Sequence, residues 1–593
     1  MSRPGSRRRT ATLLGGAALA LLAGVPARAE NAKLVQGDDP YYRQAEEAMR
    51  RIMTQQRNTN QAKNVILVVG DGMGFSTVTA ARIFEGQQRG VDGESNVLSW
   101  EAFPYLAASK TYSADAQITD SAPSAVAMTT GVKTINDLMG LNHTARLNNC
   151  EDQKTKAVTT LWEMAESIGM SAGFVTTATV THATPGATYS HIANRDWESD
   201  ATMTPEALAA GCADIARQLV EMRYGDGFEV AMGGGRANFL PSTADDPEDK
   251  GKKGKRKDGR DLTQAWLQRY GDRGAYVWNK EQFDRLDPAK VDHVLGLFEM
   301  SHMEYDYDRP KDTAGEPSLA ELTEKAIDIL ARNPEGYVLL VEGGRVDHGS
   351  HAGNAFRTLS DAVALNEAVK TILRKVNLDE TIVVVTGDHS HTLTIAGYAK
   401  RGNPILGISI GVDGQPIMAL DGKPYTTLSF ANGPGSKEPI APPAAAAAAN
   451  PQQPAPAAAA SPPQPATAAA PSPQQMTPVT ANEPPPQTGA TKPPPTDTAT
   501  APAPVTVRPR PTITMEEATD PDYIQQALVP MTSETHGGED LGIYAIGPWA
   551  HLFQGTVEEN YTFHVLNFAS KIGERAQALA EGQAPPVKKA QGN

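Results

Sequence analysis

Tyr337-Val338-Leu339-Leu340-Val341-Glu342-Gly343-Gly344-Arg345-Val346-Asp347-His348-Gly349-Ser350-His351 sets five large apolar residues ahead of two carboxylates and two imidazoles. An apolar run of that length, ended by paired glycines, reads as a buried strand, and the polar residues then fall at its carboxyl end. Asp347 and His351 are four residues apart. One helical turn would face both the same way and let them share a cation. Glu342 comes earlier, where it can serve a second ion.

Working outward, further β-branched runs occur at Val65 to Val69, Ala172 to Thr176 and Ile382 to Val385, separated by amphipathic stretches such as Leu319 to Leu330 and Phe356 to Val376. This alternation predicts an α/β fold with a large, mainly parallel central sheet flanked by helices and carrying surface insertions. Ligands of such sheets gather at the carboxyl ends of the strands. Asp71 follows the run at 65, Glu342 and Asp347 the run at 338, and Asp388-His389 the run at 382. Six of the twelve histidines, His182, His348, His351, His389, His391 and His536, lie in these polar clusters. Several carboxylates buried together are prohibitively costly without cations. Imidazole with carboxylate suits zinc, and carboxylate with hydroxyl suits magnesium, so two kinds of site are implied.

Thr119-Asp120-Ser121-Ala122-Pro123 leads into a helix-like segment. Pro123 fits a first helical turn, so Ser121 should stand at a helix amino terminus, where free N–H groups and the positive dipole end favour an anion. A serine there commonly does no more than cap the helix. Metal ions nearby would change that role, because they can depress the hydroxyl pKa and make a nucleophile. Arg195, in Asn194-Arg195-Asp196-Trp197, has the planar fork that clamps two phosphate oxygens.

The remaining sequence bounds the setting. Arg7-Arg8-Arg9, an apolar stretch from Ala11 to Val25 and Ala27-Arg28-Ala29 read as a cleaved signal over residues 1–29. The expected location is therefore periplasmic or secreted, and no later segment is long and apolar enough to span a membrane. A net charge of −15 argues against nucleic acid as a specific ligand. The basic run from Lys250 to Arg260 is interleaved with glycine and reads as a solvated loop. Cys150 and Cys212 are the two cysteines, and in an oxidising compartment they are expected to form a structural disulfide. Residues 439–511 collapse into Ala, Pro, Gln and Thr and cannot bury a core. They are read as a disordered insertion that divides one catalytic domain into 30–438 and 512–593.

Taken together, Gly70-Asp71-Gly72-Met73-Gly74, Thr119-Asp120-Ser121-Ala122, Val341-Glu342-Gly343 through His351, Thr386-Gly387-Asp388-His389-Ser390-His391 and Glu534-Thr535-His536-Gly537-Gly538-Glu539-Asp540 resemble the alkaline phosphatases. The resemblance implies a homodimeric hydrolase of small-molecule phosphate monoesters, with two Zn2+ and one Mg2+ per subunit and a phosphoserine formed at Ser121. It assigns Asp347, His351 and His536 to one zinc, Asp71, Asp388 and His389 to the second, and Asp71, Thr184 and Glu342 to magnesium. Arg195, held by Asp120, would grip the phosphate. His391 would orient a zinc-bound carboxylate, while His182 and His348 would reach metal or phosphate through water. The segments Asp246-Pro247-Glu248, Phe298-Glu299 and Glu316 lie where animal members bind Ca2+, and Cys150 and Cys212 line up with a family disulfide.

Two rival readings are a related phosphodiesterase or sulfatase, and a phosphate-binding surface protein that no longer turns over. The sulfatase reading is weakened because Ser121 lacks the Cys/Ser-x-Pro-x-Arg context of formylglycine formation, and the diesterase reading because the serine and the magnesium triad are both intact. The phosphate-binding protein would have lost Ser121, Arg195 or a ligand, and all are present.

Overall fold

The computed structural model describes residues 34–436 and 510–582. The expected signal at 1–29 lies outside the described residues, as does all of the Ala/Pro tract but Arg510 and Pro511. The chain divides after Gln56. Among its described residues the first unit holds the helix Pro40–Thr54, entered through Asp39, whose side chain accepts from the Tyr41 and Tyr42 N–H groups.

From Arg57 onward the strands are β1 (Asn64–Gly70), β2 (Tyr105–Lys110), β3 (Ser171–Thr179), β4 (Val230–Gly234), β5 (Gly274–Val277), β6 (His293–Leu297), β7 (Tyr337–Gly343), β8 (Thr381–Gly387), β9 (Ser390–His391), β10 (Leu393–Ile395), β11 (Leu428–Gly433), β12 (Ala527–Pro530), β13 (His536–Gly537), β14 (Leu541–Ile546) and β15 (Gly555–Glu558). Ten of them form one sheet in the order β15-β2-β14-β8-β1-β7-β3-β4-β6-β5. Within it β14 alone runs against the other strands. The expected parallel α/β architecture is therefore found, and each predicted strand lies inside an observed one.

Successive residues of a strand point to opposite faces. Val65, Leu67 and Val69 enter one hydrophobic core, and Ile66 and Val68 enter another on the other face. Both faces of β1 are buried, which is why its sequence is continuously apolar rather than alternating. The helices Leu319–Leu330 and Ala355–Lys375 contribute to the second core. The first of these opens with a capping box between Ser318 and Glu321.

Register sets the site. Gly70 of β1 pairs with Gly343 of β7 on one side and Gly387 of β8 on the other. The three strands end level, and the residues just beyond them converge on one edge. The chain after β7 enters the helix Arg345–His351, as the four-residue spacing predicts. Two small sheets, β10-β11-β12 and β13-β9, close over this edge, the latter pairing His536 with His391. The guanidinium of Arg510 pairs with Asp421 at 2.8 Å. Cys150 and Cys212 are joined in a disulfide, with Cα atoms 6.0 Å apart.

Candidate active site

Ser121 is the first residue of the helix Ser121–Thr130. Asp120 precedes it in an extended conformation, but its carboxylate does not cap the helix. It contacts the Arg195 guanidinium and accepts the Asp137 N–H at 3.0 Å. The helix end is thus left open to an anion. Arg195 also donates through Nη2 to His182 Nε2 at 3.0 Å, and its remaining donors are uncommitted among the described residues.

The ring tautomers follow from the hydrogen bonds. The Nδ1 atoms of His351, His389 and His536 lie 2.5, 3.3 and 2.9 Å from the carbonyl oxygens of Glu534, Ser390 and Thr119. A carbonyl only accepts, so each neutral ring carries its proton on Nδ1 and turns an unprotonated Nε2 inward. His351 Nε2 and His536 Nε2 are 3.2 Å apart, and lie 3.4 and 3.6 Å from Asp347 Oδ1. His389 Nε2 lies 3.3 Å from Asp71 Oδ1, 3.5 Å from Asp388 Oδ2 and 3.0 Å from Ser121 Oγ. Lone pairs facing lone pairs in a buried space repel one another, and a cation between them removes the repulsion.

The carboxylates point the same way. Both oxygens of Asp71, Glu342 Oε1, Asp388 Oδ2 and Thr184 Oγ1 are buried without a hydrogen-bond partner. Burial raises Asp388 to about 6 and Glu342 to about 7. Asp71 is driven well above the carboxylate range, first by burial and then by the charges of Asp388, Asp347 and Glu342. Acceptors of this kind, next to imidazole lone pairs, are the donor set of divalent metals, and the residues fit zinc and magnesium.

His391 differs from its neighbours. Its Nε2 is 2.7 Å from Asp347 Oδ1 and its Nδ1 contacts the Glu534 carboxylate. Both partners only accept, so the ring is an imidazolium. Burial opposes that charge, but the bonds to Asp347 and Glu534 outweigh it and raise the ring to about 10. His391 stands with Asp347, His351 and His536, yet it has no lone pair to offer. The Arg195 hydrogen bond likewise places the proton of neutral His182 on Nδ1, which lies 3.9 Å from Asp71 Oδ2, too far for direct contact. Burial lowers His348 to about 4, and its ring packs 4.1 Å from that of His302.

The residues expected to hold zinc, magnesium and phosphate therefore meet at one sheet edge. Sequence reasoning gave no role to Glu534, to His302, or to the buried Glu559, whose carboxyl feels the charge of Asp388. Glu534 sits in a motif already quoted, and its spacing of two from His536 places its carboxylate under His391. His302 and the buried Glu559 carry no such signal. Away from the centre, Glu248 and Glu299 of the segments expected near Ca2+ come together, joined by Asp312, which sequence reasoning did not name. Asp246 accepts from Arg236 at 2.7 Å, as Glu248 also does, and Glu316, whose Oε1 accepts the Glu304 N–H at 3.0 Å, keeps Oε2 buried without a partner.

The family model described as "Alkaline phosphatase" matches residues 62–464 and 502–572. An alkaline phosphatase of Gadus morhua is 39% identical over 521 residues, covering 87% of this chain and 93% of that protein. The tissue-nonspecific alkaline phosphatase isozyme of Homo sapiens is 38% identical over 545 residues, covering 90% of this chain and 89% of that protein. Among solved structures, the alkaline phosphatase of Thermus thermophilus superimposes with a TM-score of 0.55 at 20% identity, covering 90% of this chain and 98% of its own.

Proposed function

The chain belongs to the alkaline phosphatase family, and from that premise we propose that it hydrolyses phosphate monoesters to an alcohol and inorganic phosphate with Ser121 as nucleophile. The observation that carries this reading is the set of inward Nε2 lone pairs and unpartnered carboxylate oxygens gathered around Ser121 Oγ. Asp347, His351 and His536 would hold one zinc, Asp71, Asp388 and His389 the other, and Asp71, Thr184 and Glu342 magnesium. Bound there, the ions would lower the pKa of a hydroxyl or water and offset negative charge on the attacking and leaving oxygens.

The chain's own residues do the following. The Arg195 guanidinium, fixed by Asp120, takes phosphoryl oxygens on the donors left free. The open N–H groups at the helix start face the same anion. Ser121 Oγ attacks phosphorus in line, the bond from phosphorus to the ester oxygen breaks, and the alcohol leaves with a proton. Water then attacks the phosphoserine, the bond from phosphorus to Ser121 Oγ breaks, and phosphate leaves as the serine hydroxyl is restored. His391 keeps Asp347 ionised and oriented by holding its Oδ1.

We also infer removal of residues 1–29 on export, a homodimeric assembly, and a dispensable insertion at 439–511. For the outlying Ca2+ we infer Glu248, Glu299 and Asp312 as the holding group.

Release of p-nitrophenol from its phosphate ester, with zinc and magnesium present, tests the reading. Ser121→Ala should lower kcat by at least ~10³-fold with folding intact, because a covalent route is removed. Chelation should abolish turnover, and acid-quenched wild type should yield a phosphopeptide containing Ser121. Full turnover by Ser121→Ala would sink the mechanism, and phosphate binding without any turnover would favour the inert-binder reading.

A further inference from the structure

The opposite edge of the same sheet carries a second group of acids, of which Glu166 is buried, and a buried imidazole. Glu166 lies in the helix Leu161–Ser167 that precedes β3, Glu229 immediately precedes β4, and His293 is the first residue of β6. All three are therefore at amino ends of strands, away from the active site. Asp226 reaches them from the loop Gly225-Asp226-Gly227. Carboxylate oxygens of Glu166, Asp226 and Glu229 lie within 4.8 Å of one another.

The loop is shaped to stay there. Gly225 and Gly227 have φ of +54° and +94°, a region that side-chain-bearing residues rarely adopt. A Cβ at Gly225 would collide with the Glu166 carboxylate, and one at Gly227 with the Tyr270 hydroxyl. The backbone is thus pressed onto the acid group, with Asp226 between two glycines that permit the approach.

His293 provides the independent pointer to a cation. The residue is 1% exposed, and its Nδ1 lies 3.0 Å from the Phe228 carbonyl, so that nitrogen holds the proton of the neutral ring. Its Nε2 is buried without a hydrogen-bond partner and faces Asp226 Oδ2 at 3.5 Å. Glu166, 2% exposed, likewise has Oε1 unpartnered. Glu229 accepts from Ser171 Oγ and the Ala172 N–H, both at 2.8 Å, which fixes its carboxylate in place. The nearby arginines are already engaged: Arg273 and Arg332 pair with Asp292 at 3.1 and 2.8 Å. A cavity of about 210 Å³ lined by Asp226, Glu229 and His293 opens to solvent here and gives an ion a way in.

We propose that Glu166, Asp226, Glu229 and His293 form a further divalent-cation site, of the zinc class, which ties the Gly225-Asp226-Gly227 loop to the amino-terminal edge of the sheet. One imidazole nitrogen with carboxylate oxygens is a donor set zinc accepts. The competing arrangement is a proton shared between Glu166 and Glu229 with a protonated His293 paired to Asp226, and the Nε2–Oδ2 separation of 3.5 Å is long for such a bond.

Crystals of the full chain grown with ZnCl2 should give an anomalous peak at the zinc edge among these four residues. Equilibrium dialysis followed by elemental analysis should show Asp226→Asn and, separately, Glu229→Gln each lacking one zinc equivalent per chain relative to wild type. Their p-nitrophenyl phosphate turnover should be unchanged. Absence of the peak at millimolar zinc, or equal zinc content in wild type and both variants, would overturn the site and leave the shared proton. Asp226 is largely exposed, so its variant tests the site even where Glu229→Gln folds poorly.

Discussion

Arg236 and Arg195 are both arginines withdrawn from solvent beside carboxylates, yet their surroundings are opposite in kind. Arg236 is wholly buried and fully engaged: Nε and Nη2 donate to Asp246 at 2.7 and 2.9 Å, Nη2 also to Glu248 at 2.7 Å, and Nη1 to the Leu297 and Phe298 carbonyls at 3.0 Å. Arg256 repeats the pattern, with Asp214 at 3.0 Å and the Asn238 carbonyl at 3.2 Å. Arg195 has one arm on Asp120 and one on His182, and keeps the rest free beside carboxylates that lack partners altogether. Burial alone does not separate scaffold from site. Completeness does, because a group held open and dry is stable only when a ligand is to arrive.

Replacing each arginine by alanine tests this contrast most strongly. Arg195→Ala should lower kcat/KM by about 10²–10³-fold, the usual cost of one preorganised donor to developing charge, with the urea midpoint little changed. Arg236→Ala should cost about 3–5 kcal/mol of stability, since Asp246 and Glu248 are left buried and unpaired. Its kcat/KM per folded molecule should remain that of wild type. Exchange of the two phenotypes would show that completeness of hydrogen bonding does not separate scaffold from site.

Acidity sharpens it next. Burial pushes Asp246 up, but the bonds and charge of Arg236 outweigh this and hold it below the carboxylate range. Its contribution is present above its unfolded value of about 3.9 and is lost on acidification. At the site the sign reverses. Asp388 and Glu342 are raised to about 6 and about 7, so stability is full below their unfolded values and is lost as pH rises through the folded ones. Taken alone, these two carboxyls should weaken the metal-free protein between about pH 4 and 7, because the unfolded chain has released their protons while the folded one still holds them, whereas His348, His389 and His536, lowered by burial to about 4, 3 and 3, act with the opposite sign up to about pH 6.5. The slope should be roughly 1.4 kcal/mol per pH unit for each such carboxyl. Zinc and magnesium should flatten it in urea titrations. Metal-free Glu342→Gln should lose one carboxyl's share of this downward slope relative to wild type, and an unchanged slope would show that this carboxyl is not strained.

The sheet was legible because Val65–Val69, Tyr337–Val341 and Ile382–Val385 are buried on both faces and so read as unbroken apolar runs. The site was legible where ligands follow such strands within a residue or two, as Asp71 and Asp388 do. Thr184 and Asp120 came through resemblance, because a threonine in a short turn and an aspartate ahead of a helix have many bland uses. Asp312 and the Gly225-Asp226-Gly227 loop were not legible. Both depend on which loops the register of β4 and β6 brings together, and no local pattern encodes that.

His391 belongs to the site by position and to the scaffold by completeness, since both ring nitrogens are engaged by carboxylates, as Arg236 is engaged on every side. Its role is to position Asp347 and hold its charge, so the smallest effect is expected on turnover itself and a larger one on metal retention. His391→Gln keeps an amide donor toward Asp347 but removes the positive charge. Zinc affinity, read from activity against free zinc in a buffered series, should fall about 10–100-fold, the range for groups that orient ligands. At saturating zinc, kcat should return to within severalfold of wild type. A purely structural role would lower stability without moving the zinc dependence, whereas a direct ligand would leave kcat depressed at any zinc concentration.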